Sequence, residues 1–150
     1  MILDIAHLNG ASTKAVLKTW KGPLMVSHTA LFSLNPHPQN VSDNLVKSII
    51  NRNGIIGFAF LDKFYSPVNA TMADVVAHLT YFRRKFGSYN CAFGSDFYGF
   101  GSSNSITGLE NMGLLPNLAK ELKKNGWNAA EVDRLLWKNA YQFLIQSLGV

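Results

Sequence analysis

The chain has 150 residues, 47% hydrophobic and 15% charged, with a net charge of +5; that length fits one domain with a real core, and the charge content lies below the roughly 25% common in soluble domains, so part of the surface is expected to be covered by a partner or a further segment. The 14 Lys and Arg are scattered, with clusters only at Arg83-Arg84-Lys85 and Lys123-Lys124 near helix ends, which disfavours a nucleic-acid interface. One cysteine excludes an intramolecular disulfide framework, no run of about 18 apolar residues spans a membrane, and Asp4 and His7 interrupt any signal sequence, so a cytoplasmic location is expected.

Strand and helix signals alternate along the chain. Residues 2–6 read as a strand, Asn9-Gly10 as a turn, and Ser12 as the cap of a helix reaching about Trp20. Gly22-Pro23 stops that helix, and 24–27 is a second strand. A polar loop, Asn35 to Asn40, leads to Ser42, a good N-cap for a helix whose stripe is Leu45, Val46, Ile49 and Ile50. Asn53-Gly54 closes it. The near-continuous apolar run 55–60 suits a strand buried on both faces. Thr71, with Asp74 three residues on, opens a helix that Gly87 ends. Residues 91–95 are the fourth strand. A Gly/Ser-rich loop from Tyr98 to Gly113 precedes a helical tail, 117–124 and then Asn128, with Glu131 at N3, onward to Leu148. Four β/α units of this kind imply an α/β fold with four parallel strands and right-handed crossovers, either an open sheet or half of an eight-stranded barrel.

Three polar residues end three of these strands: His7, His28 and Asp96. In parallel α/β sheets the C-terminal strand ends share one side, where active sites sit. The histidines are 21 residues apart, enough for a loop, a short helix and a returning strand. Imidazoles leaving adjacent strands, about 4.8 Å apart, can converge on one ion or simply hydrogen-bond near a loop. Asp96 either ligates a metal or takes a proton from an activated water, or it caps the loop that follows. Asp4 either orients a ligand histidine or is satisfied by loop amides. His37, between two prolines, reads as exposed. His78 reads as a helix histidine beside Val75, Val76 and Leu79. Gly94-Ser95-Asp96 is no nucleophile elbow, and Gly99, Gly101 and Gly108 match no phosphate loop.

At these residues the chain resembles the C-terminal part of the membrane (renal-type) dipeptidase family of zinc peptidases. The stretches that carry the likeness are Asp4-Ile5-Ala6-His7, Ser27-His28, His37-Pro38-Gln39-Asn40-Val41-Ser42-Asp43, Asn53-Gly54-Ile55-Ile56-Gly57, Gly94-Ser95-Asp96-Phe97, Gly108-Leu109-Glu110-Asn111, and Gly126-Trp127 through Asn139. The resemblance implies a TIM (β/α)8 barrel with two zinc ions, of which residues 1–150 are the C-terminal half. It implies that His7 and His28 bind one zinc, that Asp96 acts beside the attacking water, and that the reaction is hydrolysis of a dipeptide. The family's His-x-Asp motif and metal-bridging glutamate belong upstream of Met1, which falls where the family often has an internal methionine. The chain is therefore expected to be a fragment, inactive alone, that needs an N-terminal half-barrel or a homodimer partner. A non-catalytic half-barrel interaction module and another metal-dependent amidohydrolase are the alternatives.

Two departures bear on the pocket. Gln39 stands where the family has an arginine that grips the substrate carboxylate. A neutral amide cannot make that bidentate ion pair, a loss of roughly 2–4 kcal/mol. Tyr98 replaces the second aspartate of the family's Asp-Phe-Asp-Gly pattern, which alters the pocket more than the metal chemistry.

Overall fold

The computed structural model describes residues 1–97, 99 and 104–149. Four parallel strands, β1 (Leu3–Asp4), β2 (Leu24–Thr29), β3 (Ile55–Phe58) and β4 (Cys91–Phe93), lie side by side in sequence order. Helices α1 (Gly10–Thr19), α2 (Asp43–Ile50) and α3 (Met72–Phe86) link them. After β4 come α4 (Leu115–Lys124) and α5 (Ala129–Asp133); a π-helical stretch, Arg134–Lys138, joins α5 to α6 (Asn139–Leu148) with helical backbone throughout. This is the four-unit α/β sheet that the alternation implies. No helix among the described residues is long and apolar enough to cross a membrane.

Local chemistry accounts for the ends of these elements. Ser42 and Asn128 cap α2 and α5 by accepting from the amides of Leu45 and Glu131. At the start of α3 the Asp74 carboxylate accepts from both the amide and the hydroxyl of Thr71. The first helix departs from expectation. Its cap is Asn9, whose side-chain oxygen accepts from Ser12 N at 2.9 Å, so the helix starts at Gly10 and Ser12 lies inside it. A carbonyl oxygen one atom further from the backbone than a serine hydroxyl reaches N3 just as well, and both residue types favour caps.

Each strand presents alternate residues to two layers. Leu24, Val26, Ile56, Phe58 and Cys91 join the main core with Val46 and Ile49 of α2, Val75, Leu79 and Phe82 of α3, and Leu118 and Leu122 of α4. Ile55 and Ala92 alternate with these and pack against Phe143 of α6, with Ile2, Met25 and Ala140 beside them. The terminal helix is pinned there by Asn139, whose Nδ2 donates to the carbonyls of Ser88 and Cys91, each at 2.7 Å. Cys91 is buried, and burial pushes its thiol up to about 12.

One irregularity shapes the site. Met25 and Val26 pair with Ile55 and Ile56, but the next pairing is Thr29 with Phe58, so β2 carries an extra residue at Ser27-His28. The bulge directs the Ser27 carbonyl across the neighbouring strands. A Cβ on Gly57 or on Gly94 would lie 2.0 Å or 1.6 Å from that oxygen. Both glycines are therefore needed for the backbone's close approach.

Candidate metal centre

His7, His28, Asp96, Asp4 and Gln39 meet at the C-terminal ends of the strands. His7 follows β1 and Asp96 follows β4, and both have positive φ, 62° and 57°. That left-handed conformation is uncommon outside glycine, though His and Asp are among the residues enriched there. Each of the two lies three positions beyond the end of its strand, Asp4 or Phe93. His28 lies on the bulge of β2. Gln39 and Asp4 complete the group from the β2–α2 loop and from β1.

The two imidazoles face each other. Nε2 of His7 and Nε2 of His28 are 2.6 Å apart, and the ring centroids 4.6 Å. Asp96 Oδ2 stands 4.0 Å from His28 Nε2, within electrostatic reach and outside bonding distance. Asp96 also leans on the loop after it: its carbonyl accepts from Gly99 N at 2.8 Å, and its carboxylate fills the space where a Gly99 Cβ would sit. Thus the loop-capping role and the position beside the histidines coexist. Tyr98 lies outside the described residues.

Each ring is held at its other nitrogen. His28 Nδ1 is 2.8 Å from Ser27 Oγ. His7 Nδ1 meets the side-chain amide of Gln39. Asp4 binds neither ring; its Oδ1 accepts from the amides of Ala6 and Ser27, each at 3.0 Å. Burial acts to raise the Asp4 carboxyl, but the hydrogen bonds from Ser27 and Ala6 and the nearby His28 outweigh it and hold it below the ordinary carboxylate range. Asp4 thus ties the turn that carries His7 to the bulge that carries His28, through backbone amides and through Ser27.

Sequence reasoning misses Ser27 and the glycine cradle as parts of the site. The usable signal is the isolated Gly57 in an otherwise apolar strand, which marks a bulge or a close approach. His37 is half-buried rather than exposed, its ring 5.0 Å from Phe64; burial and nearby Lys63 lower its affinity for a proton. His78 is buried and structural. Its Nδ1 accepts from Leu31 N at 3.2 Å, and burial lowers its pKa to about 4.

Two converging imidazole nitrogens, each with its ring fixed at the far side, suit zinc, which takes His nitrogen, Cys sulfur and carboxylate oxygen. Among the described residues no group of three His, Cys, Asp or Glu side chains is close enough to hold an ion. The pair therefore fits part of a metal site.

A sequence model of the family described as membrane dipeptidase (peptidase family M19) matches residues 1–147. The chain belongs to that family. Among similar proteins, "Dipeptidase aclJ" of Aspergillus oryzae is 32% identical over 129 residues, 84% of this chain and 30% of its own length. "Dipeptidase tcpJ" of Claviceps purpurea is 27% identical over 146 residues, 96% of this chain and 34% of its own. The chain thus spans about a third of the curated relatives it matches. Among solved structures, the M19 metallopeptidase "dipeptidase AC" superposes with a TM-score of 0.91 at 24% identity, covering 99% of this chain and 44% of that one. A metallopeptidase from Rhodobacter sphaeroides, solved with a phosphinate mimic of the dipeptide L-Ala-D-Ala, superposes with a TM-score of 0.89 at 23% identity, covering 97% and 42%. These M19 structures share the fold, and the four-stranded sheet corresponds to under half of their barrels.

Proposed function

We propose that this M19 chain contributes the C-terminal half-barrel of a zinc-dependent dipeptidase and is inactive alone. The observation that carries the reading is the convergence of His7 and His28 at 2.6 Å with Asp96 beside them, at the strand ends of a dipeptidase-family fold. His7 and His28 would hold one zinc through Nε2. The zinc supplies Lewis-acid polarisation of the peptide carbonyl and activation of water when bound. Asp96, 4.0 Å from His28, would accept the proton that the attacking water loses and return it to the leaving amine. Ser27 fixes the His28 ring, and Asp4 fixes the backbone beneath both histidines. A second metal and the remaining ligands would come from an N-terminal half-barrel, or a second copy of this chain would cover the same face.

The test is dipeptide hydrolysis by the zinc-supplied chain, alone and mixed with the N-terminal half of a family member. Activity is expected only in the mixture, with His28→Ala and Asp96→Asn each lowering kcat/KM by at least about 100-fold, an effect in the range of lost general acid–base or metal chemistry. Alone, the chain is expected to retain less than one zinc after dialysis against a mild chelator, because two ligands offset little of the ordering cost. Activity indifferent to both substitutions would sink the reading.

A second reading is favoured by Gln39, whose amide meets His7. Without a cation there, the assembled enzyme would act as an amidohydrolase that tolerates substrates lacking a free carboxylate. A panel of dipeptides and their C-terminal amides separates the two.

A further inference from the structure

The β2–α2 loop is built around one residue. The hydroxyl of Thr29, itself fully buried, donates to the Gln39 carbonyl at 2.9 Å. Next to it, Asn40 is 8% exposed and makes three hydrogen bonds: its Nδ2 donates to the carbonyls of Asn35 and Phe64 at 2.9 and 2.7 Å, and its Oδ1 accepts from Ala30 N at 3.2 Å. Ala30 and Val41 close the loop through Val41 N to Ala30 O at 3.0 Å. The backbone of Gln39 is thereby fixed on the sheet, and its side chain ends at Nδ1 of His7.

We propose that Gln39 is the positioning residue of His7, and so is not available to grip a substrate carboxylate. The proposal rests on the metal reading above only for its consequence in zinc binding. An amide carries both a donor and an acceptor, whereas arginine and lysine only donate. With the amide nitrogen toward His7, Nδ1 accepts, and Nε2 carries the proton that it gives to His28. With the amide oxygen toward His7, Nδ1–H donates, and Nε2 presents its lone pair to an ion. The same residue serves the histidine pair in both states by turning its amide over, and the orientation at any moment follows from the hydrogen-bond network. A ring nitrogen held this way is what makes the other nitrogen an ordered, more basic ligand.

The test uses the 150-residue chain and two variants, Gln39→Leu and Gln39→Glu, at pH 8. Two-bond 1H–15N spectra report which His7 nitrogen carries the proton, competition with a chromophoric chelator reports zinc affinity, and melting temperature verifies folding. Gln39→Leu is expected to shift the His7 tautomer population while folding normally, and to weaken zinc by about tenfold. Gln39→Glu, which accepts from Nδ1–H, is expected to bind zinc at least as tightly as the wild type; a merely structural role would give no such rescue. An unchanged His7 tautomer in Gln39→Leu, or zinc binding in that variant as tight as wild type, overturns the proposal. A wild-type chain that takes up no zinc fells the metal reading instead, and the tautomer spectra then still decide the positioning role.

Discussion

Gly94 shows how far the site depends on a missing side chain. Its Cα faces the Ser27 carbonyl so closely that a Cβ would stand 1.6 Å from the oxygen. Alanine there must push the bulge away and carry His28 with it. Gly94→Ala is expected to cost about 1–3 kcal/mol, the range for overpacking. It should also part the two imidazoles, lowering zinc affinity beyond what the stability loss explains. Denaturant midpoints and a zinc titration check both, and a variant with wild-type stability would refute the cradle. His78 makes the second residue-scale case. Its pKa is lowered to about 4 by burial, while an unfolded histidine keeps a value near 6.5. Between those values the unfolded chain binds more protons, so stability is full above about pH 6.5 and falls as pH drops toward 4. The loss across that window is expected to approach about 3 kcal/mol, since a proton bound only by the unfolded chain costs about 1.4 kcal/mol for every pH step of one. Protonation would also take the acceptor from Leu31 N and loosen the loop that carries Gln39. Chemical denaturation from pH 7 to 4 checks this, and His78→Gln should flatten the slope. Neither effect is legible in the sequence: a glycine or a histidine there does not say what backbone lies against it.

At the scale of elements, the chain follows its local signals closely. Ser42, Asn128 and the Thr71–Asp74 pair open their helices as their spacing predicts, and the apolar run through Phe60 lies wholly buried. β1, β3 and β4 are shorter than the runs 2–6, 55–60 and 91–95 that predict them, while β2 runs past 24–27 to Thr29 because its pairing with β3 resumes beyond the bulge. Asn139 ties the terminal helix to the sheet end by hydrogen bonds. Asn139 is 3% exposed and gives both Nδ2 hydrogens to carbonyl oxygens. Asn139→Asp keeps the shape, loses both donors and sets a carboxylate against two acceptors. It is expected to destabilise the fold by about 3 kcal/mol or more, as for an uncompensated buried charge. Melting at neutral pH, compared with the isosteric wild type, measures it. A shift of a degree or two would mean that the helix is held by Phe143 and its apolar neighbours alone.

On the whole-molecule scale, β1 and β4 each have one strand neighbour, and several large apolar side chains are exposed. Trp137 of the π-helical stretch and Tyr141, Leu144 and Leu148 of α6 form one exposed row at spacings of four and three. Unpaired edges and apolar rows favour association. The isolated chain is therefore expected to self-associate in a concentration-dependent way, and an added N-terminal half-barrel should raise its melting temperature by mass action. Sedimentation and melting across a hundredfold range of concentration check this. A monodisperse monomer that melts cooperatively at the lowest concentration would contradict it.

By itself the sequence determined the α/β alternation, the caps of α2, α3 and α5, the buried third strand and the identity of the three polar residues at the strand ends. These follow from periodicity and short-range hydrogen bonding, which act over a few residues. Only the tertiary structure decided that Asp4 braces backbone rather than a ring, that Ser27 and Gln39 hold the two imidazoles, and that Gly57 and Gly94 make room for the bulge between them. Those relations join residues on separate strands and loops. They depend on strand register and on a one-residue bulge, which Gly57 hints at but whose place and partners no local signal of the chain specifies.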